Sequence, residues 1–391
     1  MREGNVVGFI FNPLLWLVAF LLCYLLLGNV FVSDIAVYSF FNLEYYSGVV
    51  NESIIKSLIF YFVILFFYGL SKDSSLYFKG VVYLSLSYKN VVLFMGVILS
   101  LYFLIIVYVA YLNILPLRGV DRVAAFSAYI DKVWIYKYGV FLNLAFLYLF
   151  FSMLMKNYAV NRYIAVVVVL AILFVDYTHG GRSVTLRIGI LLYLMMVLRT
   201  GRLYIIHIVT FVSFIALLGL FQRGADFEGL SSLYVLFGEF VLTRSTSDIV
   251  LSLNLGGDPS QPFICFIFSI LPGVVRDYFS VDSCFLGGVI QHETGLSFGL
   301  ASNLLTESIY YFGDYYFISA FIMGLYFYLL NRYAYRFGFF GLLLLVLVIT
   351  SIQDVARTSF YDFGLVIIYL LCSYYLMFIL LFHKKKLLRV G

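Results

Sequence analysis

The chain has 391 residues, of which 64% are hydrophobic and only 12% charged, with a net charge of +5 and a mean hydropathy of +1.03. So much apolar surface cannot be hidden in a water-soluble core, which excludes a soluble enzyme or binding module and leaves a polytopic membrane protein. The positive charge is spread over segments between apolar runs, so topology accounts for it better than nucleic-acid binding does.

Repeated apolar runs of about 15 to 22 residues predict an all-α, polytopic integral membrane helical bundle. One domain over 1–391 is expected, with about ten transmembrane helices. The first run, 8–27, is too long for a signal-peptide core and reads as an uncleaved span. Segment 28–53 carries Asp34, Glu44 and Glu52 without lysine or arginine, whereas 71–90 carries Lys72, Lys79 and Lys89. The former is therefore expected outside and the N-terminus in the cytoplasm. The second and third spans are 54–70 and 91–112. Between them and the fourth, Arg118, Asp121, Arg122, Asp131 and Lys132 predict a short amphipathic helix at the outer surface, with Trp134 at the interface. Spans at 138–155, 158–177, 183–198 and 203–221 follow, and 315–330, 337–351 and 363–382 complete ten. The run His383-Lys384-Lys385-Lys386 is a cytoplasmic stop, so both termini are expected in the cytoplasm of a multi-pass protein. Cys23, Cys265, Cys284 and Cys372 show no C-x-x-C spacing and no cysteine-histidine cluster, which indicates neither a disulfide framework nor a zinc site.

The chain is organised around 222–312, expected as one large outer loop with helices of its own. It holds Arg223, Arg244, Arg276, His292 and nine carboxylates, but no lysine. From 157 to 383 the basic residues other than histidine are all arginine, eleven of them, while the ten lysines lie elsewhere. The planar guanidinium binds phosphate oxygens in pairs and keeps its charge in a low-dielectric site. Arg182, Arg187, Arg223, Arg244 and Arg276 all fall on the expected outer side, against the positive-inside trend. Charges near the bilayer cost about 2.5 to 3.5 kcal/mol on insertion scales. Anion binding is one use that would retain them; structural ion pairs with Asp226, Glu228, Asp248 or Asp277 are the other. Gly180-Gly181-Arg182-Ser183 opens an apolar helix, where backbone amides add partial positive charge beside Arg182. An ordinary turn with a serine N-cap fits those four residues equally well.

His292 is the histidine of the long loop, and the carboxylate of Glu293 beside it would orient it or raise its basicity. His179 competes with it, while His207 and His383 look structural. Asn303, Glu307 and Tyr310, spaced four and three apart, put an amide, a carboxylate and a phenol on one helix face suited to sugar hydroxyls. The apolar run 263–275 is too short to cross a bilayer and is expected to re-enter it. The chain has no D-x-D, H-E-x-x-H, Walker or G-x-S-x-G sequence, so a metal-dependent nucleotide-sugar transferase, a zinc protease, an ATPase and a serine hydrolase lose support.

These features together resemble one family, the bacterial O-antigen and capsule repeat-unit polymerases commonly called Wzy. The matching parts are Gly180-Gly181-Arg182-Ser183 before a span, the large late loop, and Gly299-Leu300-Ala301-Ser302-Asn303-Leu304-Leu305-Thr306-Glu307 running into Tyr311-Phe312-Gly313. Arg276 and Gly287 fit a spacing seen in some members. The resemblance covers mainly 178–335 and extends to the related O-antigen ligases. It implies a glycosyltransferase of the bacterial cytoplasmic membrane, acting on undecaprenyl-diphosphate-linked oligosaccharide at the outer leaflet without metal or cofactor. Its further partners would be the lipid bilayer, a chain-length regulator and a flippase. In that reading Arg182, Arg223, Arg244 and Arg276 bind the diphosphate, His292 or Glu307 acts as the base, and Glu293, Asn303 and Tyr310 contact sugar. A ligase or a lipid-linked oligosaccharide flippase is the alternative. Transporters usually carry two similar halves and charge at mid-membrane, which this chain lacks.

Overall fold

Pro13 sets the start of the first span. Proline suits a first helical turn, whose N–H groups have no partner there, and the Asn12 side chain accepts from the Leu14 N–H at 3.0 Å. The run expected at 8–27 is consequently broken. It forms α1 (Glu3–Ile10) and α2 (Pro13–Val30), and α2 passes through a π-helical turn at Leu22–Leu27. The structure, a computed structural model, describes residues 3–30, 45–71, 82–84, 89–118, 122–155, 159–222, 230–271, 273–280, 284, 286–294, 302–363, 370–375 and 388–390.

The remaining helices in chain order are α3 (Val50–Ser71), α4 (Lys89–Asn113), α5 (Arg122–Val133), α6 (Tyr138–Leu154), α7 (Ala159–Thr178), α8 (Ser183–Thr200) and α9 (Ile205–Gln222). They continue as α10 (Leu230–Ser252), α11 (Gln261–Phe268), α12 (Gly273–Tyr278), α13 (Gly287–Thr294), α14 (Leu304–Phe312), α15 (Tyr316–Ala334) and α16 (Phe339–Arg357). A three-residue antiparallel ribbon, β1 (Val82–Leu84) with β2 (Leu388–Val390), pairs Tyr83 with Arg389. Among the described residues, seven helical runs are long and apolar enough to cross a membrane. The number is eight if Ala124–Tyr136 and Tyr138–Leu154, bent by 71° at their junction, count as one span. A multi-pass membrane helical bundle follows from these lengths. The expected seventh span is helical as α9, and the expected tenth, 363–382, lies largely outside the described residues.

The segment 222–312 departs most from a loop. Its first half contains α10, a 23-residue helix whose C-terminal half is buried. The expected re-entrant run at 263–275 is split between α11 and α12.

The chain packs as two compact units. The first comprises Met1–Leu76 and Arg223–Cys372. Its centre is α16, whose Leu342 to Ile352 stretch is apolar on nearly every face; a helix of that kind has no side to give to water or lipid, and 83% of it is buried. α2 and α15 pack against α16, and α15 also runs along α3. Asn12 donates to Ser71 at 2.7 Å, Asn29 to Ser57 at 2.9 Å and Ser308 to Ser319 at 2.9 Å. Each such interhelical pair contributes about 0.6 kcal/mol inside a membrane bundle. The second unit comprises Tyr77–Gln222 and Ser373–Gly391. There α4 packs along α7, and α6 lies against α4, α7 and α8. The predicted amphipathic helix is present as α5, with Ala125, Tyr129 and Val133 buried along one stripe.

Candidate functional site

In the first unit, α10 buries six consecutive polar residues, Thr243, Arg244, Ser245, Thr246, Ser247 and Asp248. Arg244 is 1% exposed and fully engaged. Its Nε donates to Asn29 Oδ1 at 2.6 Å, one terminal nitrogen pairs with the Asp248 carboxylate, and the other donates to the Val50 carbonyl at 3.4 Å. Gly28 permits the approach, since a Cβ there would come within 2.7 Å of the Arg244 Cβ. The structure thus realises the ion-pair alternative for Arg244 rather than a free phosphate-binding guanidinium.

Asn303, Glu307 and their neighbours complete this sealed layer. Asn303 is the N-cap of α14: its Oδ1 accepts from the Thr306 N–H at 2.9 Å and its Nδ2 donates to the Thr243 carbonyl at 2.5 Å. The Thr306 hydroxyl lies 2.8 Å from that of Thr246 and 2.9 Å from that of Ser247. Glu307 is 0% exposed. It accepts from the Ser359 hydroxyl and, at 3.0 Å, from the Phe360 N–H, which fastens the turn after α16 onto α14. Ser319 bridges Ser308 and the Tyr361 hydroxyl, and burial pushes the Tyr361 phenol up, so it stays protonated as a hydrogen-bonding group. In this arrangement an acceptor sugar reaches neither Asn303 nor Glu307. Tyr310 is half-buried; its ring packs on Tyr311 and its carbonyl accepts from the Gly257 N–H at 2.9 Å. The expected common face of Asn303, Glu307 and Tyr310 is mostly an internal one.

A second, open group in the same unit follows α11. Cys265 and Cys284 form a disulfide, contrary to the reading of the cysteines from spacing alone. The bridge ties α11 to the chain ahead of α13 and encloses α12. Arg276 on α12 is 25% exposed and lies 3.7 Å from Asp362, which also accepts from the Cys284 N–H at 3.1 Å. His292 on α13 is 87% exposed, with Nδ1 3.3 Å from Glu293 Oε1. When Nδ1 donates to that carboxylate, Nε2 is the nitrogen left to take a proton, the arrangement a general base requires. Among the described residues, Cys265, Cys284 and Asp362 form the grouping of metal-ligand type. With the two sulfurs joined to each other, it offers only a carboxylate.

Arg182 belongs to the second unit, where it occupies the N-cap position of α8 without a side-chain cap bond. Ser183 is the first helical residue rather than the cap, and the first turn of α8 is capped by Asp176 of α7 through Thr185. Arg223 lies outside the described residues. Reading the sequence did not identify the disulfide, Asp176, Ser359 or Asp362. Only the cysteines left a trace, as the two of the four that fall between 222 and 312. Comparison with protein-family models, with curated proteins and with solved structures finds no match.

Proposed function

We propose that the protein polymerises undecaprenyl-diphosphate-linked oligosaccharide repeat units into O-antigen or capsular polysaccharide at the outer face of the bacterial cytoplasmic membrane. The observation that carries the reading is the open group on the disulfide-bridged segment of a multi-pass membrane protein, an exposed histidine oriented by a carboxylate and a part-exposed arginine. Disulfides persist in oxidising compartments, so the Cys265–Cys284 bridge supports an outward placement of α11 to α13. That placement agrees with the charge pattern of the loops and with the outer leaflet as the place where a lipid-linked donor is presented.

In the proposed reaction the terminal sugar hydroxyl of a fresh repeat unit attacks the anomeric carbon at the reducing end of the growing chain. The carbon–oxygen bond to undecaprenyl diphosphate breaks, and the acceptor's proton passes to His292 Nε2. Glu293 holds the imidazole and stabilises the imidazolium that forms. The departing diphosphate gathers negative charge, which Arg276 is suited to take by paired N–H donation. Glu307 and Arg244 have a different part in this scheme. They hold the helices that carry the open segment, and Asn303 caps one of them.

Deleting the gene and resolving the surface polysaccharide on a gel tests the proposal. Loss of the ladder with single repeat units still attached to their anchor is the expected result. Loss of both polymer and attached monomer would instead indicate a ligase or a flippase, and an unchanged ladder would refute all three.

A further inference from the structure

In the second unit, α9 (Ile205–Gln222) carries no charged residue, and its first three turns are apolar except for His207, Thr210 and Ser213. At about 1.5 Å per residue its 18 residues reach about 27 Å, close to the thickness of a bilayer's hydrocarbon core, about 30 Å. Steps of three keep the polar residues on one helix face, which Phe214 and Leu217 continue. All five side chains are exposed. By contrast, between Val91 and Leu112 the helix α4 of the same unit turns only apolar and tyrosine side chains outward. Hydroxyls such as those of Ser152 and Thr350 bond back to their own helix, to the Leu149 carbonyl at 2.9 Å and the Val346 carbonyl at 2.8 Å. Among the described residues, the Thr210 and Ser213 hydroxyls meet no such partner. Lipid tails neither donate nor accept, so a stripe of this kind inside a bilayer is satisfied by another helix.

The rotation of α9 is set by α8, against which it packs. The Phe211 ring sits on Gly189 of α8, where a Cβ would collide with it, and this contact turns the polar stripe away from α8. The Tyr204 ring meets that of His207 edge-on, with centroids 5.2 Å apart. An open groove of about 450 Å³ follows the stripe, lined by Ile206, His207, Thr210, Phe211 and Phe214. A facing helix fills such a groove with side chains and brings hydrogen-bonding groups to the stripe.

We propose that this face docks a second copy of the chain, α9 against α9, as parallel helices related by a two-fold axis along the membrane normal. Copies in one membrane share an orientation, so such an axis sets the stripe opposite itself. A hydroxyl both donates and accepts, and a neutral imidazole does the same through its two nitrogens, so the stripe complements itself. With no Asp, Glu, Lys or Arg from 205 to 222, the face offers a charged helix no counter-charge. Ile206 and Phe214 of each copy then fill the groove of the other. The proposal rests on α9 lying in the bilayer and is independent of the function proposed above.

The test uses the purified full-length protein in liposomes, with Cys23→Ser and Cys372→Ser removing the free thiols and the Cys265–Cys284 bridge left in place. Thr210→Cys is expected to give a covalent dimer with copper phenanthroline as oxidant. Val212→Cys, at a residue 58% exposed on nearly the opposite side of α9, is expected to stay single. A Thr210→Cys protein that stays single, or a dimer formed equally well from Val212→Cys, overturns the proposal. So does labelling of Thr210→Cys by a membrane-impermeant thiol reagent, which would place the face in water. In the otherwise unaltered chain, His207→Leu combined with Thr210→Val keeps the face compatible with lipid and removes its hydrogen bonds. Counting copies per liposome over a range of protein-to-lipid ratios is expected to show a dissociation constant about tenfold higher than that of the wild type. Wild-type protein that remains single at every ratio, or a dissociation constant unchanged in the variant, overturns the proposal.

Discussion

Two regions of the first unit are built from the same residue types and meet opposite fates. The sealed layer holds Arg244, Asp248, Asn303 and Glu307, all buried; the open segment holds Arg276, His292 and Glu293, all reachable. In the layer every charge has a counter-charge or a hydrogen-bond donor aimed at it, because a buried charge left unpaired costs several kcal/mol. On the segment, pairing is looser: Arg276 stands 3.7 Å from Asp362 and His292 3.3 Å from Glu293, so both can exchange partners. An arginine or glutamate near a membrane therefore indicates a site only once its partners are counted.

Substitutions can break this contrast, and the largest effect belongs to the sealed layer. Arg244→Ala leaves Asp248 buried and unpaired, and it is expected to cost about 3 to 5 kcal/mol. The amount of folded protein recovered from membranes, followed by thermal unfolding in detergent, checks this; a variant of normal stability would show that the pair is dispensable. Next comes the disulfide. Cys265→Ser with Cys284→Ser opens a loop of 19 residues' separation and is expected to cost about 3 kcal/mol. Non-reducing against reducing gels, or mass spectrometry of the bridged peptides, verifies the bond itself. Asn303→Ala removes the cap of α14 and the bond to Thr243, for about 1 to 2 kcal/mol, read as a lowered unfolding temperature. The smallest effect on stability is expected from His292→Ala, within about 0.5 kcal/mol because the ring is exposed. The same change should abolish polymer formation, and a normal ladder would remove His292 from the mechanism.

Much of the fold was legible because it follows from hydropathy. The spans expected at 54–70, 91–112, 138–155, 158–177 and 183–198 appear as α3, α4, α6, α7 and α8, within a few residues at each end. Where the outline fails, local chemistry outweighs average hydropathy. Asn12 and Pro13 split the first run, and the polar stripe of α10 made a buried helix look like loop, since a helix inside a bundle can satisfy Arg244 and Asp248 with each other. The ninth run, expected to end at 351, continues as α16 to Arg357, and Gln353 in the added turn donates to the Tyr24 hydroxyl at 3.2 Å inside the bundle. The candidate site was less legible. Helical spacing placed Asn303 and Glu307 together correctly but could not tell an inward face from an outward one. That distinction depends on Ser359 and Phe360, some fifty residues later in the chain. The cap on α8 was equally hidden, because Asp176 sits in the preceding helix and reaches Thr185 only after the Gly-Gly turn reverses the chain.

The central claim is that this membrane protein joins lipid-linked repeat units, and reconstitution tests it most directly. Purified protein in liposomes containing undecaprenyl-diphosphate-linked repeat units, with a chelator present and no metal added, is expected to yield a ladder of lengthening glycans and free undecaprenyl diphosphate, with His292→Ala yielding neither. Repeat units that stay single on their lipid when incubated with folded wild-type protein would contradict the account.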